Sequence, residues 1–166
     1  VQQPVDANNA RSNFFAKSLL VPEREPLSLK VLNTYFQYVV DAGTQLPNQW
    51  VFTFRLMGGA KSKVPSKGDS FSAVSNRDSL WIVQHDGQTV QRPKEVMVFV
   101  EGSSKALQTL AGGQGWGSFA PFLDPSLSNS QAHKAYFSPS TYKKLKYLKA
   151  KYDERMVFTN PQSVVY

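Results

Sequence analysis

The chain has 166 residues, 41% of them apolar and 19% charged, which fits one globular domain and excludes a disordered chain. It contains no cysteine, so disulfides, thiolate metal sites and a cysteine nucleophile are excluded. The formal charge of +7 permits an anionic partner without requiring one.

Val1 to Ser12 is polar and reads as a loose leader. A start at Val1 rather than Met suggests a processed or excised polypeptide, although trimming would give the same sequence. No apolar run is long enough to span a bilayer, and no signal-peptide pattern is present. "FFAKSLLVP" is an apolar segment ending at Pro22, and "PEREP" reads as a turn. From Ser28 to Ala42 the residues Leu32, Tyr35, Phe36 and Val39 recur at helical spacing, with Ser28 as the N-terminal cap and Gly43 as the expected C-terminal cap.

"QLPNQWVFTFRLMGG" predicts a strand with Phe52, Phe54 and Leu56 on one face and Val51, Thr53 and Arg55 on the other. "AKSKVPSKGDSFSAV" reads as a polar loop with one strand-like piece, and "SLWIVQHDG" as a buried strand. In "PKEVMVFVEGSSKALQTL" the residues Val96, Phe99, Val100, Ser103 and Leu107 share a helical face and Pro93 suits a helix start, which favours helix over strand. "AGGQGWGSFAPFLDPSLSNSQ" reads as a long loop of the kind that is functional or packs on another surface. A final helix is expected over roughly Ser140 to Tyr152. Tyr142, Leu145, Leu148 and Tyr152 form a narrow stripe, and Lys143, Lys144, Lys146, Lys149 and Lys151 cover the rest.

Four features bear on chemistry. Lysines on every side of the last helix except its stripe are better explained by solvation than by nucleic-acid binding. Gly112, Gly113, Gly115 and Gly117 lack the Gly-Lys-Ser/Thr and the following helix of a phosphate loop, so close backbone approach is the better reading. His85 and His133 stand far apart without metal-ligand spacing. Gln84 and Asp86, two apart in a strand, share a face. That pair is either an ordinary polar strand end or an amide–carboxylate site for a hydroxyl-rich ligand.

The ending resembles the carboxy-terminal signature of berberine-bridge-enzyme-like FAD-linked oxidases. The residues that carry the likeness are Tyr136-Phe137, Lys149-Ala150-Lys151-Tyr152-Asp153, Phe158 and Asn160-Pro161-Gln162-Ser163. Glu154 stands where proline is usual and Met156 where asparagine is usual. Upstream, "FFAKSLLVP", "WVFTFRLMGGAKSKVP" and "RDSLWIVQHD" are similar, in order, to segments of the substrate domain of the sugar-oxidase branch. Members of that family are much longer, and their amino-terminal half carries most of the FAD-binding domain, including the covalent flavin attachment.

The resemblance implies an α+β fold in which helices cover an antiparallel sheet. It implies a leader over 1–12, a partial substrate-binding domain over 13–125, and a segment over 126–166 that returns to an FAD-binding domain outside this chain. It implies a secreted oxidase of carbohydrates or other alcohols, using oxygen, and paired with an amino-terminal FAD-binding chain of the same precursor. Gln84 and Asp86 match its Gln-x-Asp substrate pair, which favours the site reading. Asn160 and Gln162 are expected against the cofactor domain.

Where the family has Tyr-x-Asn-Tyr-x-Asp, this chain reads Phe119-Ala120-Pro121-Phe122-Leu123-Asp124. The family tyrosine is a general base, its phenol pKa of about 10 lowered with help from a carboxylate. Phenylalanine cannot take a proton. Either another base serves, with His85 the nearest candidate in sequence, or the protein is an inactive oxidase-like module that binds carbohydrate or protein; Phe119 and Phe122, with Gln84, are expected to bind substrate.

Overall fold

The computed structural model describes residues 13–46, 49–64, 72–90 and 93–166. Part of the loop expected around Lys67 and Asp69, and the polar leader, lie outside them.

Three strands and four helices follow one another as β1 (Asn13–Pro22), α1 (Leu29–Gly43), β2 (Gln49–Leu56), β3 (Ser79–Thr89), α2 (Pro93–Leu110), α3 (Asn129–Tyr136) and α4 (Pro139–Tyr152). The sheet is antiparallel in the order β1-β3-β2. This is the α+β arrangement expected from the sequence. Register places Lys17, His85 and Phe52 side by side, and likewise Leu19, Val83 and Phe54. These residues line the face that α1 and α2 cover, and the core of Leu19, Val21, Tyr35, Val39, Val83, Phe99 and Leu107 sits there. Ala16, Asp86 and Val51, then Ser18, Gln84 and Thr53, then Leu20, Ile82 and Arg55, line the opposite face.

The helix α1 starts where its cap was expected, with Ser28 Oγ accepting the amide of Val31 at 3.2 Å. Its end differs from the expectation. Gly43 is the last helical residue and Thr44 is the cap, in ordinary right-handed geometry. Gly43 is instead a point of close approach, because a Cβ there would stand 2.7 Å from the Trp50 ring.

The α2 segment is helical throughout and buries Val96, Phe99, Val100, Ser103 and Leu107, the face that the periodicity picked out. It lies on the sheet at Gly87, where a Cβ would meet Val96 Cγ1 at 2.3 Å and Val100 Cγ2 at 2.9 Å. A residue with a side chain at 87 would therefore lift the helix from the strand that carries Gln84 and Asp86.

The glycine-rich stretch does not remain a loop to its end. Ser128 and Gln131 form a capping box that opens α3. Before it, residues 117–119 run along the outer edge of β1. Leu20 N donates to Gly117 O at 2.9 Å and Phe119 N to Ser18 Oγ at 2.9 Å. This covers an edge that would otherwise expose unpaired backbone groups.

The last helix, α4, buries none of its residues. Ser138 caps it, Pro139 occupies its first turn, and Ser138 N donates to Ser75 Oγ at 2.9 Å.

Candidate functional site

On β3 the alternation of side chains sorts the three polar residues onto two faces. Gln84 Nε2 donates to Asp86 Oδ2 at 2.6 Å on the face away from α1 and α2. Gln84 is 8% exposed, and neither Gln84 Oε1 nor Asp86 Oδ1 has a partner among the described residues. Leaving a buried acceptor unpaired costs about 1–3 kcal/mol, a cost that a donor brought by a ligand would remove. Burial holds the Asp86 carboxyl above the usual carboxylate range, opposed by its bond to Gln84 and by the charge of Arg55.

His85 stands on the other face, fully buried beneath α1. Its Nε2 is 2.8 Å from the Tyr35 hydroxyl and its ring packs edge-on against Phe52. Burial, with the nearby charge of Lys17, pushes its pKa down to about 3, so the ring is neutral. The fold thus sets His85 and Asp86 on opposite faces. Neighbours in a strand point apart, and His85 is not placed to act on anything that Asp86 touches.

The segment 118–124 brings Phe119 and Phe122 to the face that holds Gln84 and Asp86. Phe119 is fixed there through its amide on Ser18, and its ring packs edge-on against Phe122, centroid to centroid 5.3 Å. Arg55 lies over the Phe122 ring at 5.4 Å from the centroid. Beside Phe119, a cavity of about 180 Å³ is lined by Leu20, Val74, Ser118, Pro121 and Tyr136 among others. Asp124 ends the segment, buried, with Oδ2 2.8 Å from Lys17 Nζ and Oδ1 accepting from Ser126 N and Oγ. Lys17 belongs to the helix-covered side and reaches past the edge of β1 to make this pair.

Gln162 and Asn160 do other work than presenting free amides. Gln162 Nε2 donates to the carbonyls of Asp124 at 2.6 Å and Leu127 at 3.0 Å, and its Oε1 accepts from the Tyr136 hydroxyl at 3.1 Å. Every donor of that amide is used inside the chain. Asn160 Oδ1 accepts from Gln162 N at 2.8 Å, and Asn160 N donates to Ser163 Oγ at 2.6 Å, so Asn160 shapes the turn. Asn129 Nδ2 and His133 Nε2, one helical turn apart on α3, donate to Ser163 O at 2.9 Å and Gln162 O at 3.0 Å. Asn160 and Gln162 are thus both engaged within the chain. They clamp the chain end onto α3 and onto Asp124, the residue that closes the site segment.

Arg55, Ser18, Lys17 and Tyr136 were not singled out as site residues from the sequence. Arg55 had a signal, since the strand pattern already put it on the face opposite Phe52 and Phe54. Among the described residues no cluster of His, Asp and Glu is arranged to hold a metal.

Residues 118–165 match the family model described as berberine and berberine like. The resemblance seen in the closing motif is thereby borne out, and the berberine-like segment contains the Phe119–Asp124 loop, the clamp and α4. Over 159 residues the chain is 30% identical to a chitooligosaccharide oxidase of Gibberella zeae, matching 94% of this chain and 32% of that protein. It is 26% identical over 159 residues to a glucooligosaccharide oxidase of Sarocladium strictum, matching 91% of this chain and 31% of that protein. The solved structure of a chitooligosaccharide oxidase superposes with a TM-score of 0.77 at 28% identity, over 96% of this chain and 34% of that one. The chain thus spans about a third of the length of the curated relatives it matches.

Proposed function

We propose that these residues are the substrate-facing part of a secreted FAD-dependent oxidase that oxidises a carbohydrate or other alcohol hydroxyl, with oxygen as final acceptor. The observation that carries this reading is the Gln84–Asp86 pair, 2.6 Å apart, each with an unpaired buried acceptor on a face walled by Phe119 and Phe122. Two fixed acceptors side by side suit adjacent sugar hydroxyls, and aromatic walls suit the apolar faces of a sugar ring. The relatives named above act on oligosaccharides by name, which supports the same substrate class.

A flavin held by the remainder of the protein would supply the hydride-acceptor chemistry. This chain's part is to hold the reacting hydroxyl and take its proton. Phe119 and Phe122 cannot do so, and His85 faces away. Asp86 can. A carboxylate whose pKa is raised by burial is a better proton acceptor near neutrality than an exposed one. Gln84 holds its orientation by donating to Oδ2 and leaves Oδ1 for the substrate.

The flavin-binding residues belong to a portion outside this chain, on the same precursor. The chain end supports such a partner, because Tyr152 at the end of the unburied α4, and Val157 and Phe158 beyond it, stand 72%, 69% and 78% exposed. Exposed apolar groups in a patch of this kind mark a surface made for another.

The native protein, isolated with its flavin-bearing portion, is expected to be yellow and to produce peroxide from oligosaccharides. D86N is expected to abolish peroxide while the yellow colour stays. A flavin-loaded protein that binds oligosaccharide without consuming oxygen would overturn the oxidase reading. It would favour the second one, a carbohydrate-binding module, to which the replacement of both family tyrosines by Phe119 and Phe122 lends weight.

A further inference from the structure

Arg55 brings to this face a chemistry that a neutral sugar does not use. It sits on β2 opposite Ile82, over the Phe122 ring at 5.4 Å; among the described residues its guanidinium makes no hydrogen bond or salt bridge, and its charge reaches the Asp86 carboxyl. The Phe122 ring gives the guanidinium a cation–π contact and, having no hydroxyl, makes no claim on its N–H groups. The N–H edge, with its five donors, fits a carboxylate through two parallel hydrogen bonds.

The two demands on the face are therefore opposite in kind. Gln84 Oε1 and Asp86 Oδ1 call for hydroxyl donors, whereas Arg55 calls for an anionic acceptor. We propose that the substrate is an acidic saccharide, a sugar carrying a carboxylate of the uronic type. Its carboxylate binds Arg55 and its ring hydroxyls meet Gln84 and Asp86. The inference rests on the oxidase reading of the same site and names its substrate class.

Spacing and charge agree with it. Asp86 pairs with Val51, four positions from Arg55 along β2, a separation of about 13 Å at strand spacing. The long arginine side chain and one or two pyranose rings bridge that span. The net charge of +7 favours the approach of an anion from solution.

Cellobiouronic acid and cellobiose differ only in a carboxylate against a hydroxymethyl group. Calorimetric titration of the native protein should give at least tenfold tighter binding of the acid, and added salt should shrink the preference. R55Q should abolish it by weakening the acid alone, and D86N should weaken both sugars alike. Arg55 is exposed, so an unchanged melting temperature in R55Q identifies its loss of preference as a binding effect. Equal affinity of the native protein for the two sugars, or an equal loss of both in R55Q, would overturn the acidic-saccharide assignment and leave the carbohydrate reading standing. If neither sugar binds, both fall.

Discussion

The side-chain amide of Gln162 donates to the main-chain carbonyl of Asp124 at 2.6 Å, across 38 residues. The closing Asn-Pro-Gln-Ser turn is thereby tied to the end of the segment that lines the site.

Gln162→Ala removes that bond together with those to Leu127 O and the Tyr136 hydroxyl. The groups left behind are partly buried, so a loss of about 2–3 kcal/mol is expected in urea unfolding. The same variant should loosen Phe119 and Phe122, raising the dissociation constant for a saccharide severalfold at temperatures where the protein remains folded.

Lys17 and Asp124 make a pair whose side chains are 14% and 7% exposed. Lys17→Met leaves a buried carboxylate without its cation and should cost about 3–5 kcal/mol. The double variant Lys17→Met with Asp124→Leu should recover part of that loss, and a double-mutant cycle on unfolding free energies measures how much.

At Gly87 an alanine Cβ would stand 2.3 Å from Val96 Cγ1. Gly87→Ala should destabilise by about 1–3 kcal/mol through overpacking. Gly87→Ala with Val96→Ala should be more stable than Gly87→Ala alone, which thermal unfolding of the two checks.

His85 makes stability depend on pH. Folded, its pKa is about 3; unfolded, it is near 6.5. Between those values the unfolded chain binds the extra proton, so stability is full above pH 6.5 and falls as pH drops, by up to about 1.4 kcal/mol per unit. Asp86 acts in the opposite sense. Its raised pKa means that the folded state holds a proton longer, so its contribution weakens stability as pH rises through the lower part of the range. Unfolding free energies measured from pH 4 to 7 should rise with pH, and His85→Gln should flatten the rise.

Asp86→Asn separates function from stability. Removing a carboxylate that burial disfavours should leave the melting temperature unchanged or raise it. Saccharide binding should weaken at least tenfold. A large drop in both would show that Asp86 holds the fold rather than a ligand.

Much of this architecture is legible in the sequence because it is local. Helical spacing gave α1 and α2 their buried faces, and alternation gave β2 and β3 theirs. The same alternation already separated His85 from Gln84 and Asp86. Its adjacency in sequence to Asp86 obscured the fact that strand neighbours point apart. The helix α3 was hidden inside a stretch rich in glycine, serine and proline, although Ser128 and Gln131 stand at the spacing of a capping box. The clamp of Gln162 could not be read at all, because its partners lie 26 to 38 residues away and are chosen by the fold. Arg55 was visible as a residue of the second face, but its stacking on Phe122 depends on a loop 67 residues downstream whose path no periodicity describes.

The two-sided arrangement of β3 also sets what kinds of genetic change this region tolerates. Deleting or inserting one residue between Ser79 and Gln84 would turn the strand over. The imidazole would then face the ligand, and the amide and carboxylate would enter the apolar layer under α1. Substitutions at single positions can be graded in their effect; a change in the count of residues here would erase the pocket chemistry and the core together.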